Sequence, residues 1–157
     1  MTEKTNKRSL ATIVIVTWAI LLQPGWARAA CSSGGASVAF GTYDALSLAP
    51  LDTIGSLVFQ CNQKDHNVMI TLSRGSGSSF STRRMVNGSQ QLFYNLYRDT
   101  GRTIVWGDGS GGTQAFQITN PQPNNRDITL PIFGRIPPGQ NVKVGTYSDT
   151  ITITLFF

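Results

Sequence analysis

The sequence predicts an all-β sandwich. After residue 30 the chain is rich in Gly, Ser, Thr and Asn and contains no Glu. Nowhere do apolar residues recur at the spacing of an amphipathic helix for three turns. Short runs that alternate apolar and polar residues recur instead, separated by turn residues, and this pattern is typical of a sandwich of short strands.

The first thirty residues have the pattern of a cleaved signal peptide. A positively charged start precedes a largely apolar run at 10–22, and a small-x-small motif follows at Ala27-Arg28-Ala29. The apolar run is too short to span a membrane. We therefore expect cleavage just after Ala29 or Ala30, which leaves residues 31–157 as one β-sandwich domain.

Removal of residues 1–30 changes the charge of the protein. Four of the thirteen basic residues and one of the eight acidic residues lie in this segment, so nine basic and seven acidic residues remain, a net charge of +2. The high isoelectric point therefore belongs largely to the leader. It gives no reason to predict binding of nucleic acid.

The two cysteines, Cys31 and Cys61, are an even number in an exported protein, and we expect them to pair. Closing a loop of this length would stabilise the fold by roughly 3–4 kcal/mol in the chain-entropy model. A metal site needs more ligands than two cysteines and the distant His66. A lipid anchor on Cys31 is disfavoured because Arg28 stands where a lipobox has Leu.

Each predicted strand is an apolar or alternating run that ends near a turn signal. In chain order the runs are Ala36–Phe40, Leu57–Cys61, Val68–Leu72, Met85–Val86 before the Asn87-Gly88 turn, Leu92–Arg98, Thr103–Trp106, Ala115–Ile118, Ile128–Gly134 and Val144–Phe157. Leu92–Arg98 is apolar on both faces, which predicts a central strand. Pro131 demands an edge position or a bulge. The predicted sandwich is one strand short.

The last predicted strand alternates strictly. Ile151, Ile153, Leu155 and Phe157 share one face, and Thr150, Thr152 and Thr154 share the other. No Lys, Pro or Gly protects this strand between Ser148 and Phe157. Two interpretations fit the pattern equally: the strand is an ordinary sheet edge, or it receives a strand from another protein.

No catalytic motif stands out. His66 lies beside Asp65 in a polar loop, and adjacent loop residues rarely form an acid–base pair. The Gly107–Gly112 loop lacks the Gly-Lys-Ser/Thr ending of a phosphate-binding loop, and the seven aspartates after residue 30 are scattered. We therefore predict that the protein is not an enzyme and that it has no metal, cofactor or small-molecule substrate.

Two further groups have plain structural interpretations. The arginines at 74, 83 and 84 could hold an anion, but we expect them at the surface. The aromatic residues Phe93, Tyr94, Tyr97 and Trp106 could form a binding platform, but packing within the sandwich is the favoured interpretation.

Seven short motifs occur in order along the domain. They are Phe40-Gly-x-Tyr43, Phe59-x-Cys61, Arg84-Met85, Leu92-x-Tyr94-Asn-Leu-Tyr97, Trp106-Gly-Asp-Gly109, Gly134-Arg-Ile-Pro-x-Gly-Gln140 and Tyr147-Ser-Asp-Thr-Ile-Thr-Ile153. Together they make the chain resemble the spore coat protein U domain family, which includes subunits of archaic chaperone–usher pili. The resemblance covers essentially all of residues 31–157.

The resemblance implies an incomplete immunoglobulin-like sandwich that lacks its last strand and is completed by a donor strand. A periplasmic pilus chaperone first supplies that strand, a neighbouring pilin subunit then replaces it, and the fibre grows through an outer-membrane usher. The implied acceptor groove has Val38 and Phe40 on one wall, and Ile151, Ile153, Leu155 and Phe157 on the other. The implied Cys31–Cys61 bridge ties the first strand to the second.

The resemblance also suggests a place in the fibre. Polymerising subunits carry a donor segment before the first cysteine, and cleavage after Ala29 or Ala30 would leave none. We therefore expect a tip or minor subunit of a surface fimbria that supports adhesion or biofilm formation, exported to the periplasm and then to the cell surface. The alternatives are a self-sufficient spore or cell-surface coat protein and a secreted enzyme or glycan-binding lectin on a complete β-sandwich.

Overall fold

The computed structural model describes residues 31–61, 67–119 and 126–157. The predicted signal peptide and His66 lie outside these residues. The described residues form nine strands and a short 3-10 helix: β1 Cys31–Ser37, β2 Leu51–Cys61, β3 Asn67–Leu72, the 3-10 helix Phe80–Thr82, β4 Arg84–Asn87, β5 Gln90–Phe93, β6 Asn95–Tyr97, β7 Phe116–Thr119, β8 Ile128–Ile136 and β9 Ile153–Phe156. None of the helices described is long and apolar enough to span a membrane.

The strands form two sheets and a hairpin. One sheet has the order β1-β2-β8-β6, the other has the order β7-β3-β9, and β4 pairs with β5. The pairing of Asn87 with Gln90 confirms the hairpin predicted from Asn87-Gly88, and Gly88 has the positive φ of 57° that such a turn requires. The all-β prediction is therefore confirmed.

Both sheets contribute to one buried cluster. Leu57 and Phe59 of β2 and Ile70 of β3 are fully buried, as is Trp106, whose indole N–H donates to the Ile70 carbonyl at 3.0 Å. Trp106 therefore belongs to the core, as the packing interpretation predicts, because a buried indole is stable only where its N–H has an acceptor.

The first strand lies earlier than predicted. β1 begins at Cys31, which pairs directly with Cys61 of β2 and forms the predicted disulfide with it. Only Cys31 is buried among the seven residues of β1. Backbone pairing and the disulfide therefore hold this strand, and because it has no apolar alternation, the sequence pattern did not reveal it.

Two other predicted strands are absent or shorter than predicted. The run Thr103–Trp106 is not a strand, since Val105 and Trp106 each form only an isolated bridge. Of the run Val144–Phe157, only Ile153–Phe156 forms a strand, β9.

A third predicted strand is not continuous. The run Leu92–Arg98 is divided between β5 and β6, which belong to different sheets, and the break is at Tyr94. In contrast, β8 is an inner strand although it contains Pro131. β6 pairs with β8 only between residues 133 and 135, so Pro131 faces β2 on one side and no described strand on the other.

Phe40 follows β1 and crosses β8 at Gly134. A Cβ atom at position 134 would lie 2.8 Å from two ring carbons of Phe40, which is too close for any side chain there. The Phe40 ring also contacts the ring of Tyr94 edge-on, with centroids 5.6 Å apart. The bare backbone of Gly134 therefore sets the position of Phe40.

Arg83, which we expected at the surface, is fully buried. Its guanidinium donates to the carbonyls of Ser73 and Trp106 at 2.8 and 2.7 Å and to Asn95 Oδ1 at 2.9 Å, and it lies over the Phe80 ring. Burial lowers the pKa of Arg83 to about 10, so the group stays charged at neutral pH. It ties the loop after β3 to the core.

We predict that Arg83→Ala destabilises the domain by about 3–5 kcal/mol, because each buried acceptor left without a donor costs about 1–3 kcal/mol. Arg84→Ala is the matched control, since Arg84 makes its hydrogen bonds at the surface, to Ser76 and Gln91; its effect should stay below about 1 kcal/mol. Urea unfolding followed by circular dichroism measures both. Similar losses in the two variants would contradict this account of the buried network.

We predict that Gly134→Ala destabilises the domain by about 1–3 kcal/mol, because the new methyl group displaces the Phe40 ring. In a Phe40→Ala background the same substitution should lose part of this effect, and the remainder should persist because the Thr53 methyl group lies 2.9 Å from the same Cβ position. A double-mutant cycle by urea unfolding measures the coupling between the two positions. Strict additivity of the two substitutions would refute the proposed contact.

Candidate strand-acceptor groove

β9 has one paired edge and one open edge. It pairs with β3 through Ile153–Leu72, Thr154–Thr71 and Leu155–Ile70, and no strand among residues 31–61, 67–119 and 126–157 pairs with its other side. β1, at the edge of the other sheet, likewise pairs only with β2 in the described chain. These two open edges flank one region of the sandwich.

The direction of the backbone groups on β9 follows from its neighbours. Ser73 N–H donates to the Thr152 carbonyl at 2.9 Å, so the Thr152 backbone faces β3. Leu72 N–H donates to the Gly107 carbonyl and therefore points away from β9. Because backbone direction alternates along a strand, the N–H and C=O groups of Ile153 and Leu155 face the open side.

A first cavity of about 520 Å³ lies between the two open edges. Val38 and Phe40 line one wall, Ile151 and Ile153 line the other, and the buried core residues Leu72, Leu96 and Ile132 also border it. The four wall residues are partly buried and pack against the core. Polar residues, among them Ser33, Ser37 and Ser148, also line this cavity, so an opening with both apolar and polar walls lies between the two edges.

A second cavity of about 630 Å³ adjoins the first. Residues 38–45 line one side and residues 142–147 line the other. Val38, Phe40, Met85 and Tyr147 line both cavities. We call the two cavities together the groove, with residues 31–45 as its first wall and residues 142–153 as its second.

Asp149 is a carboxylate in the lining of the first cavity, and it fixes the second wall to the core. Tyr94 Oη donates to Asp149 Oδ2 at 2.7 Å, and Ser76 N and Oγ donate to Oδ1 at 2.9 and 2.8 Å. Burial and the bond to Asp149 both raise the pKa of Tyr94, so the phenol remains a donor. The wall is thereby held just before Ile151.

The structure brings four of the six predicted groove residues together in the first cavity: Val38, Phe40, Ile151 and Ile153. Leu155 packs against the core and lines neither cavity. Phe157 is 52% exposed and lies in a separate surface depression with Phe156 and Met69. It departs from the groove because β9, and with it the alternation, ends at Phe156.

Sequence reasoning missed Met85 and Tyr147 as groove residues, although both line the two cavities. Each lies in one of the seven motifs, which was the available signal. The motif alone could not place Met85 in the groove. Met85 belongs to the β4–β5 hairpin, and the position of this hairpin against the groove depends on long-range packing.

The described residues offer no alternative ligand site of the kinds considered. They contain no group of three His, Cys, Asp or Glu side chains that could hold a metal ion. The suggested anion site at the arginines is not formed, because the Arg83 donors are already bound inside the protein and Arg84 donates to Ser76 and Gln91.

The structure is similar to solved pilus subunits. It aligns with a chain of the CsuC–CsuE chaperone–tip adhesion subunit pre-assembly complex from archaic chaperone–usher Csu pili of Acinetobacter baumannii, with a TM-score of 0.51 and 22% identity. That alignment covers 81% of this chain but only 39% of the other. The P pilus rod subunit PapA aligns with a TM-score of 0.50 and 18% identity over 82% of this chain and 99% of its own. The fold is therefore the immunoglobulin-like fold of pilins, as predicted.

Sequence comparison gives the family. The chain is 36% identical to "Protein U" of Myxococcus xanthus, over 82% of this chain and 78% of that protein. The family model described as the Spore Coat Protein U domain matches residues 20–154. The family description names a spore coat protein and the two solved structures are named as pilus subunits, in agreement with the prediction of a non-enzymatic protein. The chain belongs to the Spore Coat Protein U domain family.

Proposed function

We propose that this protein is a structural subunit of a surface fimbria and that its groove accepts a strand from another polypeptide. The observation that carries the proposal is the open edge of β9. The backbone groups of Ile153 and Leu155 there pair with no described strand, and Ile153 lines a cavity whose walls carry apolar side chains. A periplasmic chaperone supplies the first strand, and a neighbouring subunit replaces it as the fibre passes through an outer-membrane usher.

The energetics of strand insertion support this proposal. An extended strand along β9 satisfies the open backbone groups, and every second side chain enters the groove. Burying a large apolar side chain fully contributes about 1.5–3 kcal/mol to stability. The wall residues are already half-buried, so each of them gains a fraction of that value when the strand covers it. Since a domain of this size typically has a net stability of about 5–15 kcal/mol, the inserted strand supplies a large share of it.

The finer proposal is a tip or minor subunit that supports adhesion or biofilm formation. It depends on removal of residues 1–30 as a signal peptide during export to the periplasm. A subunit processed directly before Cys31 would have nothing ahead of its disulfide to donate. Determining the N-terminal sequence of the protein recovered from the cell surface checks this step, and an N-terminus well before Cys31 would favour a shaft subunit.

A spore or cell-surface coat protein is the second candidate. The 36% identity with Protein U and the description of the family favour it. A self-sufficient coat protein has no need of a strand from another polypeptide. The two candidates therefore differ in how the domain responds when a strand is offered.

We predict that a donor strand fused after Phe157 through a short flexible linker stabilises the domain strongly. A donor of about nine alternating Val and Thr residues should raise Tm by about 10 °C or more, because it fills the groove and pairs with β9. A control donor of the same composition, with the Val residues grouped together, should have little effect. Differential scanning calorimetry measures both, and an unchanged Tm with the alternating donor would support the coat protein and defeat the fimbrial proposal.

A further inference from the structure

Tyr43 and Gln140 belong to two of the sequence motifs, but the groove as described gives them no role. The structure joins them. Tyr43 Oη donates to the Pro137 carbonyl at 3.1 Å and accepts a hydrogen bond from the Gln140 backbone N–H at 2.8 Å. One phenol thus holds the turn that leads into the second wall.

The side-chain amide of Gln140 pairs with the backbone of Phe93 as a neighbouring strand would. Its Oε1 accepts from Phe93 N–H at 2.7 Å, and its Nε2 donates to the Phe93 carbonyl at 2.8 Å. Both backbone groups of the last residue of β5 are paired in this way. The turn is therefore fixed at one point to the first wall, through Tyr43, and at another to the β4–β5 hairpin.

These contacts lie at one end of the groove. The first wall runs from the first cavity toward Ala45 in the second, and the second wall runs in the opposite sense, from Val142 in the second cavity to Ile153 in the first. Tyr43 lines the second cavity, and its partners at 137 and 140 immediately precede the second wall. The two walls are thus connected at the end of the second cavity and separate at the end near Ile153.

We propose that Tyr43 and Gln140 form an end stop that limits how far an inserted strand extends along the second wall. They are positioning residues, which set the length of the partner segment rather than its chemistry. This inference rests on the proposed strand-acceptor function.

The end stop implies a short occupant. The second wall lines the two cavities from Val142 to Ile153, which gives room for a strand of about twelve residues, roughly 40 Å long at about 3.3 Å per residue. About six alternate side chains of such a strand would enter the groove. Residues beyond that length meet the connected walls and add nothing to binding.

The test is a length series of fused donors. A linker after Phe157 turns the donor back antiparallel to β9, so its far end approaches Tyr43. Alternating Val–Thr donors are lengthened at that end in two-residue steps from about eight to about eighteen residues. In the parent protein we expect Tm to rise up to about twelve residues and then to stay constant. In Tyr43→Phe/Gln140→Ala we expect the rise to continue beyond that length.

The matched control is Tyr97→Phe/Gln60→Ala, which makes the same two kinds of substitution outside the groove lining. Gln60 bonds Asp127 near the far end of β2. This control should keep the parent plateau. Each Tm is compared with that of the donor-free form of the same variant, because loss of the Tyr43 and Gln140 hydrogen bonds lowers stability by itself. Tyr43→Phe alone replaces the double variant if the latter does not fold.

The outcomes separate the two proposals. The same plateau in the parent and in the Tyr43 variants, or no plateau in the parent, overturns the end stop while leaving strand acceptance intact. Absence of any stabilisation at every length overturns the acceptor function, and the end stop with it.

Discussion

The open edge of β9 is the constraint on which the rest of the structure depends. Along this strand the residues whose backbone groups face the open side, Ile153 and Leu155, also turn their side chains toward the core. A single occupant must therefore satisfy hydrogen bonds and cover apolar surface together. Neither a water layer nor an unstructured apolar segment meets both requirements, whereas a β-strand does.

The two walls of the groove are held by different means. On the first wall, β1 has only Cys31 buried, so its position depends on the disulfide to Cys61 and on pairing with β2, while Phe40 rests on Gly134. On the second wall, Asp149 connects the chain to Tyr94 and to Ser76. Fixed walls keep the groove open in the absence of an occupant, which lowers the ordering cost of insertion.

Alternation was the reliable part of the sequence signal. It predicted a last strand, of which Ile153–Phe156 is β9, and it put Ile151 and Ile153 on one face, because period-two burial is a local property of the chain. The assignment of that face to a groove wall came from the family resemblance. Alternation failed for β1, whose small and polar residues carry no pattern, and for Leu92–Arg98, where the chain passes from the hairpin to another sheet. The sequence analysis predicted Arg83 at the surface, whereas the residue is buried. The three acceptors that make burial of its charge tolerable come together only in the tertiary structure.

Amide hydrogen exchange of the donor-free domain, resolved by residue with NMR, tests the central claim most directly. The account predicts fast exchange at Ile153 and Leu155, whose N–H groups face the open side, and slow exchange at Thr154, whose N–H group faces β3. The first two amides should become protected when a donor strand occupies the groove. Protection of Ile153 and Leu155 in the donor-free domain would show that the edge is already closed, and would contradict the account.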